Sequence, residues 1–237
     1  MSVEQQIRSR RAILKGAAVL GGMAVLQGCA QQMTGGAKLA STPIPVGHLP
    51  MDLPAPKPTP VARIAAPRDV NPVLFNRALA ALEWHGDKIP NRDLIVIADF
   101  TPSSSSPRLQ VINLMSGATR DLLVAHGSGS DPTHSGFLQR FSNVPSSECT
   151  SSGAFVTRDE YFGQHGKSRR LMGLDPTNNL AYERAIVVHG AWYSNPDMIE
   201  KYGKLGRSQG CFAVAENQID SLVTLLGEGR MIYAGKA

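Results

Sequence analysis

The 237-residue sequence is poor in aromatic side chains (6%), modest in charge (18%) and short of cysteine, of which it has three. Its apolar, glycine-rich stretch from Gly16 to Gln27 is too short for a bilayer-spanning helix, which needs about 20 apolar residues. No H-x-x-x-H, H-x-H or C-x-x-C spacing occurs, so no single element supplies the ligands of a metal site, and neither a metal nor a cofactor is expected. No internal repeat stands out. Basic runs with interleaved aromatics are also missing. The formal charge of +5 is partly an N-terminal effect, because Arg8, Arg10, Arg11 and Lys15 against Glu4 place +3 within residues 1–28 and leave +2 beyond them. A nucleic-acid partner therefore gains no support from charge.

What is present at the N-terminus reads as an address. Ser9-Arg10-Arg11-Ala12-Ile13-Leu14-Lys15 resembles a twin-arginine export signal, and Leu26-Gln27-Gly28-Cys29 resembles a bacterial lipobox. That resemblance implies cleavage before Cys29, lipidation of Cys29 and a membrane partner through the lipid. Ala30 after it is similar to the pattern sorted to the outer membrane. The expectation is an exported, periplasmic, membrane-anchored lipoprotein with residues 1–28 as signal peptide; an uncleaved signal anchor is the alternative. Residues 29–70 carry prolines from Pro43 to Pro67 with no apolar period and read as a tether. In polyproline II form, about 3.1 Å per residue, it would reach on the order of 100 Å.

Residues 71–237 are long enough to bury one core. Asn71-Pro72 is an N-cap followed by a first-turn proline, and Phe75, Ala78, Leu79 and Leu82 at helical spacing predict a helix over 72–84. Strands are predicted over 93–100, 108–114 and 119–126, the last two joined by a turn at 115–118. Residues 127–152 form a long polar connection, of the kind that is more often functional than idle. Ile219, Leu222, Val223 and Leu226 predict a second helix ended by Gly227, and Arg230–Ala234 a last edge strand. Many short strands with two peripheral helices make a mostly β domain.

Chemistry concentrates between 185 and 213. The apolar run Ile186-Val187-Val188 delivers His189-Gly190 at a strand end, and Ser208-Gln209-Gly210-Cys211 is a small-residue turn. Thiol and imidazole are the minimum parts of a cysteine nucleophile, the base raising the thiolate fraction and the imidazolium then stabilising it as an ion pair. Separately, such a cysteine reads as a small buried hydrophobe and such a histidine as a satisfied core residue. Cys149, in Ser146–Thr150, reads as exposed loop. With Cys29 assigned to lipid, a Cys149–Cys211 disulfide is the rival use of the thiol.

His189-Gly190 followed by Ser208-x-Gly210-Cys211 resembles the motif of the L,D-transpeptidases, in the branch of murein L,D-transpeptidase catalytic-domain proteins that reads S-x-G-C-x-A. Gly153–Thr157, Tyr161–Gly166 and Ser168–Leu171 follow that branch's order, so the resemblance runs from about residue 94 to 234. Gln209 departs from the wider family, most of which has a second histidine there. The resemblance implies a β-sandwich or barrel and a peptidoglycan L,D-transpeptidase that carbapenems acylate. Cys211 would be nucleophile, His189 base, and the Gly190 carbonyl the group that orients the imidazole. Gly210, Ser208, Arg207, His126, Tyr161 and His165 would lie around the oxyanion and substrate, and peptidoglycan stem peptides would be the partner. Alternatives stay open: an L,D-carboxypeptidase on the same bond, or a non-catalytic peptidoglycan-binding lipoprotein. Papain-like amidases place cysteine before histidine, and the Thr-x-Thr-Cys of sortases is absent.

Overall fold

A computed structural model describes residues 64–237. The export signal, Cys29 and most of the proline-rich tether lie outside the described residues. Helix α1 (Pro72–Trp84) begins where the sequence places it, with the Asn71 side chain accepting hydrogen bonds from the Val73 and Leu74 amides at 3.0 and 3.4 Å. Such a cap contributes about 1 kcal/mol.

Eight strands follow: β1 (Leu94–Asp99), β2 (Leu109–Asn113), β3 (Thr119–Leu122), β4 (Gly153–Gly163), β5 (Gly166–Gly173), β6 (Val187–Gly190), β7 (Phe212–Val214) and β8 (Met231–Gly235). They form one sheet in the order β3-β2-β1-β8-β4-β5-β6-β7, with β1/β8 and β6/β7 parallel and the other pairs antiparallel. Beyond β3 the chain reaches the far end of that order: the Ala125 amide donates to the Ala213 carbonyl of β7 at 2.8 Å. The sheet thus curls until the segment after β3 covers the outer edge of β7, an edge of the kind that otherwise invites aggregation.

Period-two alternation along β1 sorts the core. Leu94, Val96 and Ala98 join Phe100, Phe155, Val188, Phe212 and the α3 (Ile219–Leu226) residues Leu222, Val223 and Leu226. Ile95 and Ile97 face the other way, onto Leu74, Phe75, Ala78 and Leu82 of α1. Both faces of the sheet are therefore covered, and every β1 position but Asp99 is buried.

Three sequence expectations are corrected. The last strand, β8, is not an edge: it lies between β1 and β4, pairing with both, because its side chains find apolar neighbours on each face. A third helix, α2 (Asp197–Tyr202), joins the two expected ones and ends on Gly203 in the left-handed region (φ 70°). Cys149 is fully buried rather than exposed, and it and Cys211 are both free thiols. The polar 127–152 connection wraps itself around buried groups. The Asp131 carboxylate accepts from the Ser135 and Gly136 amides at 2.8 Å each, and Thr150 Oγ1 accepts from the Gly127 amide at 2.9 Å.

Candidate active site

The parallel pairing of β6 with β7 assembles the central pair. Val188 is registered with Phe212 and His189 with Ala213, so one step further back Cys211 stands opposite Val187. Side chains two apart on a strand share a face. Cys211 and His189 therefore point to the same side of the sheet. This juxtaposition follows from strand register, not from the 21 intervening residues, which leave the sheet through α2 and return.

The turn before Cys211 is held rigidly. Ser208 Oγ donates to the Cys211 carbonyl (2.7 Å) and accepts from the Gly210 amide (3.2 Å), while the Ser208 amide donates to the His126 carbonyl (2.9 Å). Gly210 sits at φ 110°, where a Cβ would come within 2.7 Å of the Cys149 carbonyl oxygen. Only glycine meets both demands. The Cys211 Sγ lies 3.7 Å from the carbonyl of Ala185.

His189 is buried, and its Nδ1 lies 2.9 Å from the Gly190 carbonyl oxygen. A carbonyl can only accept, so the ring proton sits on Nδ1 and the lone pair on Nε2. Burial pushes the imidazole pKa down, offset by the Gly190 carbonyl, and the neighbouring His165 pushes it down further. The His165 ring stacks on His189 with centroids 4.4 Å apart and 25° between planes. Burial pushes the Cys211 thiol up, while the Val187 amide and the Arg184 guanidinium draw it back. Both shifts favour the uncharged forms. They weigh against the thiolate–imidazolium pair expected from sequence.

Around them opens a cleft of about 1050 Å³, whose walls include Tyr161, His165, Arg184, His189, Arg207 and Cys211. Tyr161, His165, Arg207 and Ser208 are thus brought to the site as expected, and Gln209 is exposed at its rim. The expected substrate contact His126 is not. Its side chain is buried away from the cleft lining, with Nδ1 accepting from the Arg108 guanidinium at 2.6 Å and Nε2 3.4 Å from Asp131. What His126 contributes is its carbonyl, under the Ser208 turn.

Sequence reasoning missed Arg184 and Tyr193. Arg184 stands just before β6 and binds the carbonyls of Ser142 (2.9 Å) and Cys149 (2.6 Å), tying the long connection to the cleft. Burial, with the Cys211 sulfur adding to it, pushes the Tyr193 phenol up to about 12. Neither carries a motif signal. The described residues contain no group of His, Cys, Asp or Glu side chains placed to hold a metal ion.

A curled β-sheet that presents a thiol and a tautomer-locked imidazole on one face, in a shared cleft, is chemically suited to thiol-based acyl transfer. The chain belongs to the L,D-transpeptidase catalytic domain family, whose profile matches residues 66–234. Solved structures similar to it include an L,D-transpeptidase from Mycobacterium smegmatis (13% identity, TM-score 0.38, covering 60% of this chain and 58% of that one). L,D-transpeptidase 3 from Mycobacterium tuberculosis, in complex with a faropenem-derived adduct, shares 10% identity (TM-score 0.38, 60% of each chain). The enzyme from Xylanimonas cellulosilytica shares 15% (TM-score 0.37, 66% of this chain and 68% of that one). The chain spans 58% and 60% of the length of the first two. No curated protein matches it in sequence.

Proposed function

We propose that the protein is a peptidoglycan L,D-transpeptidase in which Cys211 and His189 carry the chemistry. The observation that supports this most is the placement of both on one sheet face with the Nδ1 proton committed to Gly190, which leaves Nε2 as a lone-pair base. His189 takes the thiol proton as Sγ attacks the carbonyl of the third stem-peptide residue. The C–N bond to the terminal D-amino acid breaks, and His189 returns the proton to the leaving amine. An incoming amine, deprotonated by His189, then takes the acyl group from sulfur. Water in its place would make the same site an L,D-carboxypeptidase.

The oxyanion falls to the Cys211 amide together with that of Gly210. The latter already donates to Ser208 Oγ, but over 3.2 Å. A developing oxyanion is the stronger acceptor and can compete for it.

Export by the twin-arginine route, lipidation at Cys29 and a periplasmic, outer-membrane location complete the proposal, with residues 29–70 as the spacer between lipid and wall. Incorporation of labelled palmitate into the wild-type protein, lost in Cys29→Ala, checks that half.

The enzymatic half is tested by mass spectrometry of muropeptides incubated with the protein and by intact mass after carbapenem treatment. Cross-linked or exchanged stem peptides and a one-to-one adduct on the Cys211 peptide are expected, both lost in Cys211→Ala. Because one chemical step needs both groups, Cys211→Ala with His189→Ala should be little worse than either alone. An adduct on Cys149, or one undiminished by His189→Ala, would overturn the pair.

A further inference from the structure

The proposed base has a neighbour whose part in the chemistry goes beyond lining the cleft. His165 arrives from the turn between β4 and β5, on the opposite side of the sheet order from β7, and lays its ring flat on His189 at 4.4 Å. The hairpin looks built to deliver it. β4 and β5 stay paired out to Gly163–Gly166, beyond the last residues that either strand shares with β8 or β6. Gly166 turns at φ 71° with open space around it, and Ser168, two residues on, is registered with His189 itself. Gln164 Nε2 approaches His165 Nε2 at 3.1 Å and anchors the ring's outer edge. Close to the hairpin's tip the Arg170 guanidinium lies 4.3 Å over the Tyr161 ring and stiffens the same wall.

Resting on the reading of His189 as base for Cys211, we propose that His165 is a positioning residue: its stacked ring fixes the plane of His189 and keeps that ring from acquiring a proton. Two mechanisms act together. The stack removes one face of His189 from water, and the ring contact favours a single ring orientation. Two imidazoles in face contact also cannot both be cationic without repulsion, so a proton on His165 disfavours one on His189. Other groups face the base as well. Cys211 stands on the β7 side, Arg184 and Glu183 on the turn before β6, Glu148 on the long connection, Arg207 and Tyr193 on the segment around α2, and Tyr161 on β4. Among the described residues, it is His165 whose ring is stacked on His189.

The test needs no peptidoglycan donor. Alkylation of Cys211 by iodoacetamide is followed peptide by peptide on the full chain at pH 6 and pH 8, in wild type, His165→Phe, His165→Ala and His189→Ala. A parallel titration follows the histidine Cε1 resonances. His165→Ala should slow alkylation about fivefold at pH 8, because the base loses its fixed plane. His165→Phe keeps a stacked ring and should recover most of that loss. At pH 6, however, it should fall about twofold below wild type, as His189 now protonates nearer its ordinary range. The His189 resonance should titrate at higher pH in both variants.

A His189 titration unmoved by either substitution would overturn the inference, and so would a pH 8 rate in His165→Ala equal to wild type. Should either variant lose its near-ultraviolet dichroism, the other still decides through the His189 resonance. If His189→Ala itself leaves the Cys211 rate unchanged, it is the base assignment that fails. If His189→Ala slows the reaction and the His165 variants do not, the present inference alone fails.

Discussion

At the level of single residues, electrostatics decides how the site starts its reaction. The sequence suggests a thiolate–imidazolium pair, but burial acts on both partners in the direction of neutrality. With His189 as the proposed base, its neutral form is the competent one, and its pKa lies below the usual imidazole value. Activity should therefore hold through pH 6.5 and decline only on the acid side of it. On the alkaline side no loss is expected, because ionisation of the thiol yields the more nucleophilic thiolate. Measuring carbapenem acylation of Cys211 from pH 5 to pH 9 checks this. A rate that falls as pH rises from 6 to 8 would show a working ion pair instead. Cys149 shows the other hazard of reading single residues: the polar letters around it, Ser146, Ser147, Glu148 and Thr150, suggest a surface loop. Yet it is fully buried, and its carbonyl takes up the Arg184 guanidinium.

Among the elements, the Ser208–Cys211 turn is the one whose geometry the proposed chemistry depends on. Gly210→Ala combines a positive φ with a Cβ 2.7 Å from the Cys149 carbonyl oxygen, and backbone rather than a flexible side chain must give way. The expected cost is about 1–3 kcal/mol, a fall in melting temperature of several degrees for a domain of this size. Cys211 should lose reactivity beyond what the melting curve explains, since the turn aims it. A variant with wild-type alkylation rate and melting point would show that the turn adapts.

Elements with their own local signals are legible in the sequence. Helix α1 starts and stops where Asn71, Pro72 and its apolar period place it, and α3 ends at Gly227. The strand expected over 119–126 forms a ladder only to Leu122. Beyond it the chain crosses to β7, and nothing local marks that change of partner. Helix α2, only six residues long, falls below the length at which periodicity speaks, although Pro196 and Gly203 bracket it.

Across the whole molecule, the closure of the sheet rests on a buried polar cluster. Arg108 donates to the carbonyls of Val124 (3.0 Å) and Pro102 (3.1 Å) and to His126 Nδ1 (2.6 Å). An arginine only donates, so His126 keeps its proton on Nε2, toward Asp131. Burial, then the Arg108 charge, drives the His126 pKa down to about 4. Burial would raise the Asp131 carboxyl, but the Ser135 and Gly136 amides and the Ser135 hydroxyl outweigh it and hold it at about 2.

The unfolded chain binds a proton on His126 below about pH 6.5 that the folded chain refuses until about pH 4. Stability is therefore whole above pH 6.5, and about 3 kcal/mol of it is lost as pH falls from 6.5 to 4. His126→Gln should flatten that slope while lowering stability at pH 7. Urea denaturation at pH 7, 5.5 and 4.5 measures both. Equal slopes in variant and wild type would place the acid sensitivity elsewhere.

Sequence alone determined the pieces whose causes are local: the helix caps, the apolar strands, the His-Gly and Ser-x-Gly-Cys signals, and so the two groups proposed to do the chemistry. Tertiary structure decided what depends on partners distant in the chain. Strand register put Cys211 and His189 on one face; pairing on both sides made β8 central; hairpin length brought His165 onto His189; burial biased an expected ion pair toward its neutral form. The physical reason is that capping and periodicity act over a few residues. Register, burial and electrostatic environment are set by residues that meet only once the sheet has closed.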